Sequence, residues 1–378
     1  MTRRLVLVGA GHAHARVLAD WITAPVDGTE LCLVSPSPLA PYSGMVPGWL
    51  AGHYGFGEIC VDFAALAAAG RVRFIHDEVR ALDADRRTLA LAGGASLGYD
   101  LLSLNVGSTL VPPQVPGARI LSMRPLGALH GAWEAVLAEM AALPPRRALT
   151  VAAVGGGAAG IESLLAVRYR LLRQQPGRTV LSTLVSRGTS LLPGLAPGAV
   201  ATMRRALVDA GVAFRLGSDF DAGIGHDHDL VLWATGAQAH AWQHACGLAV
   251  SEAGFIRVDA QLRSVSHPEV HAAGDCVEWA EPLPKAGVFA VKMSPVLSHN
   301  LRAALTGAAP VAYRPQRRFL SLLATGDRHA IASWGRWSAQ GHWVWRWKDR
   351  IDRRFLKRFA LPPGAVEPHP PTAREDLA

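Results

Sequence analysis

The same local pattern occurs twice in this 378-residue chain: a short apolar run, a glycine-rich turn and a helical pattern. The first copy runs from Leu5–Val8 into Gly9-Ala10-Gly11, and the second runs from residues 148–154 into Gly155–Gly160. A buried strand, a tight glycine turn and a helix form the opening of a βαβ dinucleotide-binding unit. The repetition predicts an α/β protein with two Rossmann-like dinucleotide-binding domains.

Composition excludes several other classes of protein. Half of the residues are apolar and 18% are charged, so the chain can bury a substantial core and is not mainly disordered. The net charge is +8, but only four of the 38 basic residues are lysines and no nucleic-acid-binding module is recognisable. We therefore predict no nucleic-acid partner. Neither a signal peptide nor a membrane-spanning apolar run is evident, which predicts a cytoplasmic protein.

The cysteines and histidines do not form a metal-binding pattern. The four cysteines are widely spaced, and no Cys-x-x-Cys pair occurs. That spacing predicts neither a zinc site nor a thioredoxin-like dithiol. His226-x-His228, with Asp227 and Asp229 beside it, precedes an apolar strand and has no other ligand cluster nearby, so a polar turn is favoured and no metal site is predicted.

The first glycine motif is incomplete. Gly9 and Gly11 allow backbone N–H groups to approach a pyrophosphate at the start of a helix. The third glycine position is occupied by His14, and Ser35 stands where an acidic residue is expected at the end of the second strand. Taken alone, this motif is equally compatible with dinucleotide binding and with an ordinary glycine turn.

The second motif is complete, because Gly155, Gly157 and Gly160 follow a strand and begin a helix. Dinucleotide binding is therefore favoured over a purely structural turn. The second strand of this unit ends at Ser186-Arg187, where a carboxylate would hold a ribose 2′-hydroxyl and an arginine could meet a 2′-phosphate. Arg187 thus either favours NADPH or is a solvated loop residue, and the sequence leaves both interpretations open.

Further motifs follow in a fixed order: Asn105-Val106-Gly107, Ala234-Thr235-Gly236 and Ala273-Gly274-Asp275. In this order the chain resembles FAD-dependent pyridine nucleotide-disulfide oxidoreductases, in the branch of type II NADH dehydrogenases and sulfide:quinone reductases. The resemblance covers about residues 4–359. Several segments are also similar to a subfamily often fused in front of selenide, water dikinase: 33–38, 41–45, 47–48, 52–54, 284–290 and 343–355.

The resemblance implies a glutathione-reductase-like fold. Its FAD domain would consist of residues 1–112 and 245–317, with a NAD(P)-binding-type domain inserted at 113–244. A C-terminal hairpin and a basic amphipathic helix are expected at 318–360, followed by a flexible tail at 361–378. FAD is the implied cofactor, and NADH or NADPH is the implied substrate.

The resemblance also implies individual site residues. Asp275 would hold the flavin ribityl chain, and the helix that starts after Pro284 would present its positive end to the flavin and stabilise the reduced form. Glu162 either relays a proton to the acceptor or packs at a domain interface. Lys285 is either a positive partner of the flavin or a surface residue. The implied cofactor-binding set is Gly9, Gly11, His12, Ser35, Tyr42, Ser43, Val79, Asn105, Gly107, Gly274, Asp275, Gly287, Phe289, Gly155, Gly157, Gly160, Ser186, Arg187 and Gly236.

The chain departs from the family pattern in its redox groups. It lacks the cysteine pair of disulfide reductases, and Cys276 has no evident partner and is interpreted as a small buried residue. The quinone-site signature is absent from residues 289–300. We expect hydride transfer from nicotinamide to FAD and electron transfer to a quinone or another small acceptor, without a redox disulfide. The alternative is a flavoprotein partner in selenium metabolism that does not use nicotinamide.

The helix predicted over residues 342–359 is amphipathic. Seven basic residues lie between Arg346 and Arg358 against two acidic ones, beside an apolar stripe. Such a helix can contact the inner face of a membrane peripherally, or it can dock on the flavin domain with its arginines in water. The sequence leaves both interpretations open. The stripe comprises Trp343, Trp347, Ile351, Phe355 and Phe359.

Overall fold

The structure is a computed structural model, and it describes residues 2–361. The strands along the chain are β1 Arg3–Val8, β2 Thr29–Val34, β3 Leu39–Pro41, β4 Cys60–Asp62, β5 Arg73–Ile75, β6 Val79–Asp83, β7 Thr88–Leu91, β8 Ser96–Gly98, β9 Leu101–Leu104, β10 Ile120–Ser122, β11 Leu149–Val154, β12 Val180–Ser186, β13 Val212–Leu216, β14 Leu230–Trp233, β15 Ile256–Arg257, β16 Val270–Ala272, β17 Val277–Glu278, β18 Ser321–Ala324, β19 Ala330–Trp334 and β20 Trp337–Gly341. The α-helices are α1 His12–Thr23, α2 Val46–Leu50, α3 Phe63–Ala69, α4 Leu129–Ala142, α5 Ala158–Gln174, α6 Pro197–Asp209, α7 Ala222–Asp227, α8 Gly287–Thr306 and α9 His342–Leu356.

Five parallel strands form the first large sheet, in the order β16-β9-β1-β2-β5. Residues 5–8 of β1 are buried and pair with residues 31–34 of β2 on one side and 101–104 of β9 on the other. Continuous apolar runs of this kind are typical of parallel strands that are covered on both faces. Helices α1 and α8 pack against each other beside this sheet.

The second large sheet repeats the arrangement. Its five parallel strands have the order β10-β14-β11-β12-β13, with β11 between β14 and β12 as β1 lies between β9 and β2. Three-stranded antiparallel sheets are formed by β6-β7-β8 and by β18-β19-β20. The predicted α/β architecture with Rossmann-like parallel sheets is confirmed.

Both motif turns require glycine. Gly9 has φ +94°, and a Cβ placed on it would lie 2.6 Å from the carbonyl oxygen of Asn105. Gly155 has φ +130°, and its Cβ would lie 2.2 Å from the carbonyl oxygen of Ala234. In each sheet, therefore, the backbone that follows the neighbouring strand passes directly against the glycine turn. This explains why the glycine after β1 occurs together with the segment after β9, and the glycine after β11 with the segment after β14.

The C-terminal region differs from the prediction in two details. The hairpin predicted within residues 318–360 is part of a three-stranded sheet, because residues 337–341 pair with β19 as a further strand. The predicted helix over 342–359 ends at Leu356, because residues 357–359 form tight turns on the last helical carbonyls. Apart from Leu361, the tail predicted over 361–378 lies outside the described residues.

Candidate functional site

Asn105 joins the ends of three strands of the first sheet. Its Oδ1 accepts hydrogen bonds from the backbone N–H groups of Ala13 at 3.0 Å and His14 at 3.4 Å, and its Nδ2 donates to the carbonyl of Ala273 at 2.6 Å. A Cβ on Gly11 would lie 2.0 Å from that Oδ1, and one on Gly274 would lie 2.7 Å from Nδ2. The structure thus brings the predicted residues Gly9, Gly11, Asn105 and Gly274 into direct contact.

His14 replaces the third glycine of the first motif by making two internal hydrogen bonds. Its Nδ1 lies 2.7 Å from the carbonyl of Gly9, and its Nε2 lies 2.8 Å from the hydroxyl of Ser103. Burial lowers the pKa of His14 to about 4, so the ring is neutral. Both ring nitrogens of this buried histidine are therefore hydrogen-bonded within the turn and to β9.

His12 lies at the start of α1 beside two aromatic rings. Its ring centroid is 5.3 Å from that of Tyr42 and 5.9 Å from that of Phe355, and the latter two rings stack at 4.5 Å. Burial lowers the pKa of His12 to about 4, while the charge of Asp275 opposes that shift. The buried Nε2 of His12 has no protein partner. An orphaned polar atom at a helix N-terminus fits a site for a polar ligand such as FAD.

Asp275 is held by Arg124, which no sequence motif indicates. Arg124 follows β10 and directs its guanidinium to the carboxylate of Asp275 and the hydroxyl of Ser108, and lies 3.4 Å from the carbonyl of Lys285. The residue therefore connects the second sheet to the loops that end the first. No local pattern distinguishes Arg124 from the other arginines, because its role depends on tertiary contact.

The start of α8 contacts the segment that contains Tyr42 and Ser43. A Cβ on Gly287, the first residue of α8, would lie 2.7 Å from the hydroxyl of Ser43. Phe289, two positions later in α8, is buried and packs edge-to-face on Phe319, with the ring centroids 5.6 Å apart. The two predicted segments around Ser43 and Gly287 are therefore adjacent in the fold.

The side chains of three other predicted residues, and the glycine at 107, take no part in these contacts. The hydroxyl of Ser35 donates to the carbonyl of Ser37 at 2.8 Å, and Val79 is buried on β6. Lys285 is only partly exposed, since its ammonium contacts the carbonyl of Val277, lies 3.4 Å from Glu278 and sits 3.7 Å above the ring of Phe255. Gly107 lies after β9 with φ +69° and open space beside its Cα. Cofactor roles for these residues stay predictions.

The second predicted site lies where β11, β12 and β14 end. A Cβ on Gly160 would lie 2.1 Å from the carbonyl of Gly155, whereas one on Gly157 would meet nothing within 4 Å. Gly157 is the N-cap of α5, and no side chain caps that helix. Free space beside uncapped N–H groups fits a pyrophosphate.

The end of β12 leaves the nucleotide preference open. Ser186 is buried, and its hydroxyl would lie 2.8 Å from a Cβ on Gly156. Arg187 is 81% exposed and lies 3.7 Å from Asp219. Gly236 follows β14 with open space beside its Cα. A 2′-phosphate contact by Arg187 therefore stays a prediction.

Glu162 is buried in the second turn of α5. Its Oε1 accepts a hydrogen bond from the backbone N–H of Ala324 on β18 at 2.7 Å. Burial raises the pKa of Glu162 to about 7, while the positive charge of Lys348 and the bond from Ala324 oppose that shift. A carboxyl group that changes protonation near neutral pH is suited to proton transfer.

The docked face of helix α9 overlaps the predicted stripe only at Phe355 among its buried residues. Val344, Lys348, Asp352 and Phe355 are buried, whereas Trp343 is 51% exposed and Ile351 is 38% exposed. Lys348 is one of the seven basic residues and Asp352 one of the two acidic residues counted on this helix, and the structure buries both. The two form a buried ion pair at 2.6 Å, because tertiary docking and not helical periodicity selects the inward face.

The four cysteines lie within residues 2–361 and are free thiols. Cys276 donates to the carbonyls of Leu104 and Ala273, and burial raises the pKa of its thiol to about 11. Burial likewise raises the thiol pKa of Cys32 and of Cys60 to about 12. Thiolate chemistry is therefore disfavoured at each of these three positions. Within the described part of the chain, no group of three or more His, Cys, Asp or Glu side chains could hold a metal ion.

Comparison with known proteins matches residues 3–294 to the family described as pyridine nucleotide-disulphide oxidoreductase. An NADH dehydrogenase-like protein of Mycobacterium tuberculosis is 30% identical over 295 residues, covering 72% of this chain and 72% of the relative. A nitric oxide reductase FlRd-NAD(+) reductase of Salmonella typhi is 31% identical over 221 residues, covering 54% of this chain and 53% of the relative. The chain thus spans about half the length of the second relative.

Solved structures share the fold at low sequence identity. The sulfide:quinone oxidoreductase of Aquifex aeolicus superposes with a TM-score of 0.75 at 17% identity, covering 94% of this chain and 91% of that chain. The NDH2 of Plasmodium falciparum, solved in complex with NADH, has a TM-score of 0.75 at 13% identity, covering 95% of this chain and 98% of that chain.

Proposed function

The chain belongs to the pyridine nucleotide-disulphide oxidoreductase family, and we propose that it takes hydride from NADH or NADPH onto FAD and passes the electrons to a quinone or another small acceptor, without a redox disulfide. As a member of this family it is an FAD-dependent NAD(P)H oxidoreductase. One observation carries the proposal: two parallel sheets each end in a glycine turn that a backbone segment closes, at Gly9 and at Gly155.

FAD supplies the hydride-accepting chemistry when bound, and this chain's residues would hold and orient it. Arg124 fixes the carboxylate of Asp275 at the end of the first sheet. The neutral ring of His12 offers its free Nε2 as a further hydrogen-bonding group beside Tyr42. The open N-terminus of α5 at Gly157 would hold the nicotinamide nucleotide.

The chemistry of the thiols supports direct electron transfer to the acceptor. Cys276 comes directly after Asp275, yet its thiol is buried and hydrogen-bonded to backbone carbonyls. Near the proposed flavin site the rings of Tyr42 and Phe355 stack on each other, with their centroids 4.5 Å apart. Flat aromatic walls of this kind favour a planar acceptor such as a quinone.

The acceptor proposal predicts a difference between two classes of oxidant. Protein reduced anaerobically by nicotinamide should be reoxidised rapidly by a water-soluble quinone and not by oxidised glutathione. The measurement is recovery of the flavin absorbance after mixing with each oxidant, with the protein-free oxidant and nicotinamide as control. Reoxidation by the disulfide at a rate equal to or above that of the quinone would contradict the proposal.

We also propose that the outer face of α9 contacts an anionic membrane surface. None of the described helices is long and apolar enough to span a bilayer. The outer face carries the stacked rings of Trp343 and Trp347 beside exposed basic side chains. A surface helix with aromatic residues and flanking arginines is suited to the membrane interface. The basic residues that remain outside the buried ion pair are Arg346, Arg350, Arg353, Arg354, Lys357 and Arg358.

Vesicle binding tests this contact. The protein should co-sediment with anionic vesicles at low salt and less with neutral ones. Because each basic residue near an anionic surface contributes about 1 kcal/mol, replacing both Arg350 and Arg354 by Glu should weaken binding at least about tenfold. Arg86→Glu, at an exposed arginine on the loop between β6 and β7, is the matched control. Equal binding to neutral and anionic vesicles would contradict the proposed contact of α9 with an anionic membrane surface.

A further inference from the structure

Helix α9 carries two charges into the protein interior. Lys348 is 8% exposed and Asp352 is 5% exposed, and the ammonium lies 2.6 Å from the carboxylate Oδ2. The same ammonium also donates to the backbone carbonyl of Gly44. Removing two charges from water has a desolvation cost that a buried ion pair often fails to recover, so apolar residues at these positions would dock the helix at least as well. The pair therefore calls for an explanation other than packing.

The elements packed around the ion pair connect its helix to the strand that binds Glu162. Helix α9 packs on β18, and β18 packs on α5. Ala324 of β18 donates its backbone N–H to the Oε1 of Glu162 at 2.7 Å. On the other side, a Cβ on Gly44 would lie 3.3 Å from the Oδ1 of Asp352 and 2.9 Å from the ring of Tyr42. The ion pair thus contacts the segment that we assign to FAD, and the helix that carries it packs on the strand that binds Glu162.

The two charges act on Glu162 in opposite directions. Lys348 lowers the pKa of Glu162 and Asp352 raises it, on top of the larger rise caused by burial. Asp352 is itself influenced by burial, which raises its pKa, and by Asp349 on the same helix. Asp349 is engaged by the hydroxyl of Tyr54 at 2.7 Å and by Arg353 at 2.9 Å. Tyr42 also faces Asp352, and burial raises the pKa of that phenol well above its usual range.

We propose that Lys348 and Asp352 are positioning residues that control when Glu162 takes up and releases a proton during electron transfer to the acceptor. This inference rests on the proposed function. Reduction of a quinone to a quinol consumes two electrons and two protons, and a nicotinamide hydride brings both electrons with one proton. The second proton has to come from solvent in each turnover, and Glu162 delivers it and is reprotonated by water.

The test is an infrared titration of the Glu162 carboxyl group in the FAD-loaded protein. The band of the protonated acid is assigned by its loss in Glu162→Gln, and its midpoint is followed with pH. Lys348→Met removes the opposing positive charge, so the midpoint should rise. Asp352→Asn leaves Lys348 to stabilise the carboxylate alone, so the midpoint should fall. We expect each shift to be at least about half a pH unit, which is a small part of what a neighbouring charge can produce. Lys357→Met, at an exposed lysine just after α9, should leave the midpoint unchanged.

A double variant keeps the test valid if either single variant at Lys348 or Asp352 fails to fold. Replacing Lys348 by Met and Asp352 by Leu together removes both charges, which buried pairs commonly tolerate, and should place the midpoint above that of the wild type because Lys348 has the larger effect. Unchanged midpoints, or shifts of the same sign in both single variants, would overturn the inference. The titration needs no nicotinamide, so a failure of the proposed function appears separately as a flavin that NADH and NADPH do not reduce.

Discussion

Replacing Asp275 by alanine should leave the purified protein nearly free of FAD. A hydrogen bond to a charged group is worth about 1.5–3 kcal/mol, so losing it should weaken cofactor binding by roughly one to two orders of magnitude. The variant also releases Arg124 from its only described carboxylate partner among residues 2–361, which loosens the connection between the two sheets. The measurement is the ratio of flavin absorbance to protein after purification.

The matched control for this prediction is Asp229→Ala. Asp229 is another largely buried carboxylate that pairs with an arginine, Arg147 at 2.7 Å, but it lies at the start of β14 in the second sheet. Its replacement should lower stability while leaving FAD bound. A folded Asp275→Ala protein with wild-type FAD content would show that the Gly274-Asp275 segment does not hold the cofactor.

Gly157→Ala should slow reduction of the flavin by nicotinamide while the protein keeps its FAD. Gly157 has φ −83°, and an added Cβ would meet no atom within 4 Å, so the fold should accept alanine. The methyl group would instead occupy the space in which a pyrophosphate approaches the N-terminus of α5. We expect the rate of flavin reduction at low nicotinamide concentration to fall at least about tenfold, equivalent to roughly 1.4 kcal/mol.

Gly131→Ala is the control for this variant. Gly131 lies on α4, and a Cβ there also meets nothing within 4 Å, so the same chemical change is made away from the proposed site. That control should bind FAD and react with nicotinamide like the wild type. An unchanged rate in Gly157→Ala would mean that the nucleotide does not bind across the second glycine turn.

The parallel sheets could be predicted from sequence because their signals are local. Each glycine turn follows a short apolar strand. The segments that begin with Asn105 and with Ala234 each follow a later apolar strand of the same unit. The contacts at Gly9 and Gly155 give the physical reason for that recurrence, since only glycine leaves room for the adjacent backbone. The domain boundaries at 112, 244 and 317 stay predictions.

The groups that sequence alone did not reveal depend on tertiary docking. Lys348 and Asp352 are four residues apart, which on an isolated helix indicates an ordinary surface ion pair. Only the packing of α9 on β18 and β19 turns them inward. Arg124 is similar, because its carboxylate partner lies 151 positions further along the chain. Periodicity alone also did not identify the docked face of α9, since Trp343 and Ile351 of the predicted stripe are exposed whereas Phe355 of the same stripe is buried.

Anaerobic mixing of the purified wild-type protein with NADH or NADPH tests the central claim most directly. We expect the protein to be yellow and at least one of the two nucleotides to bleach the flavin absorbance in a single rapid phase, with chemically reduced protein as the reference for full bleaching. A flavin band that neither nucleotide reduces would contradict the account, and would favour a flavoprotein partner that does not use nicotinamide.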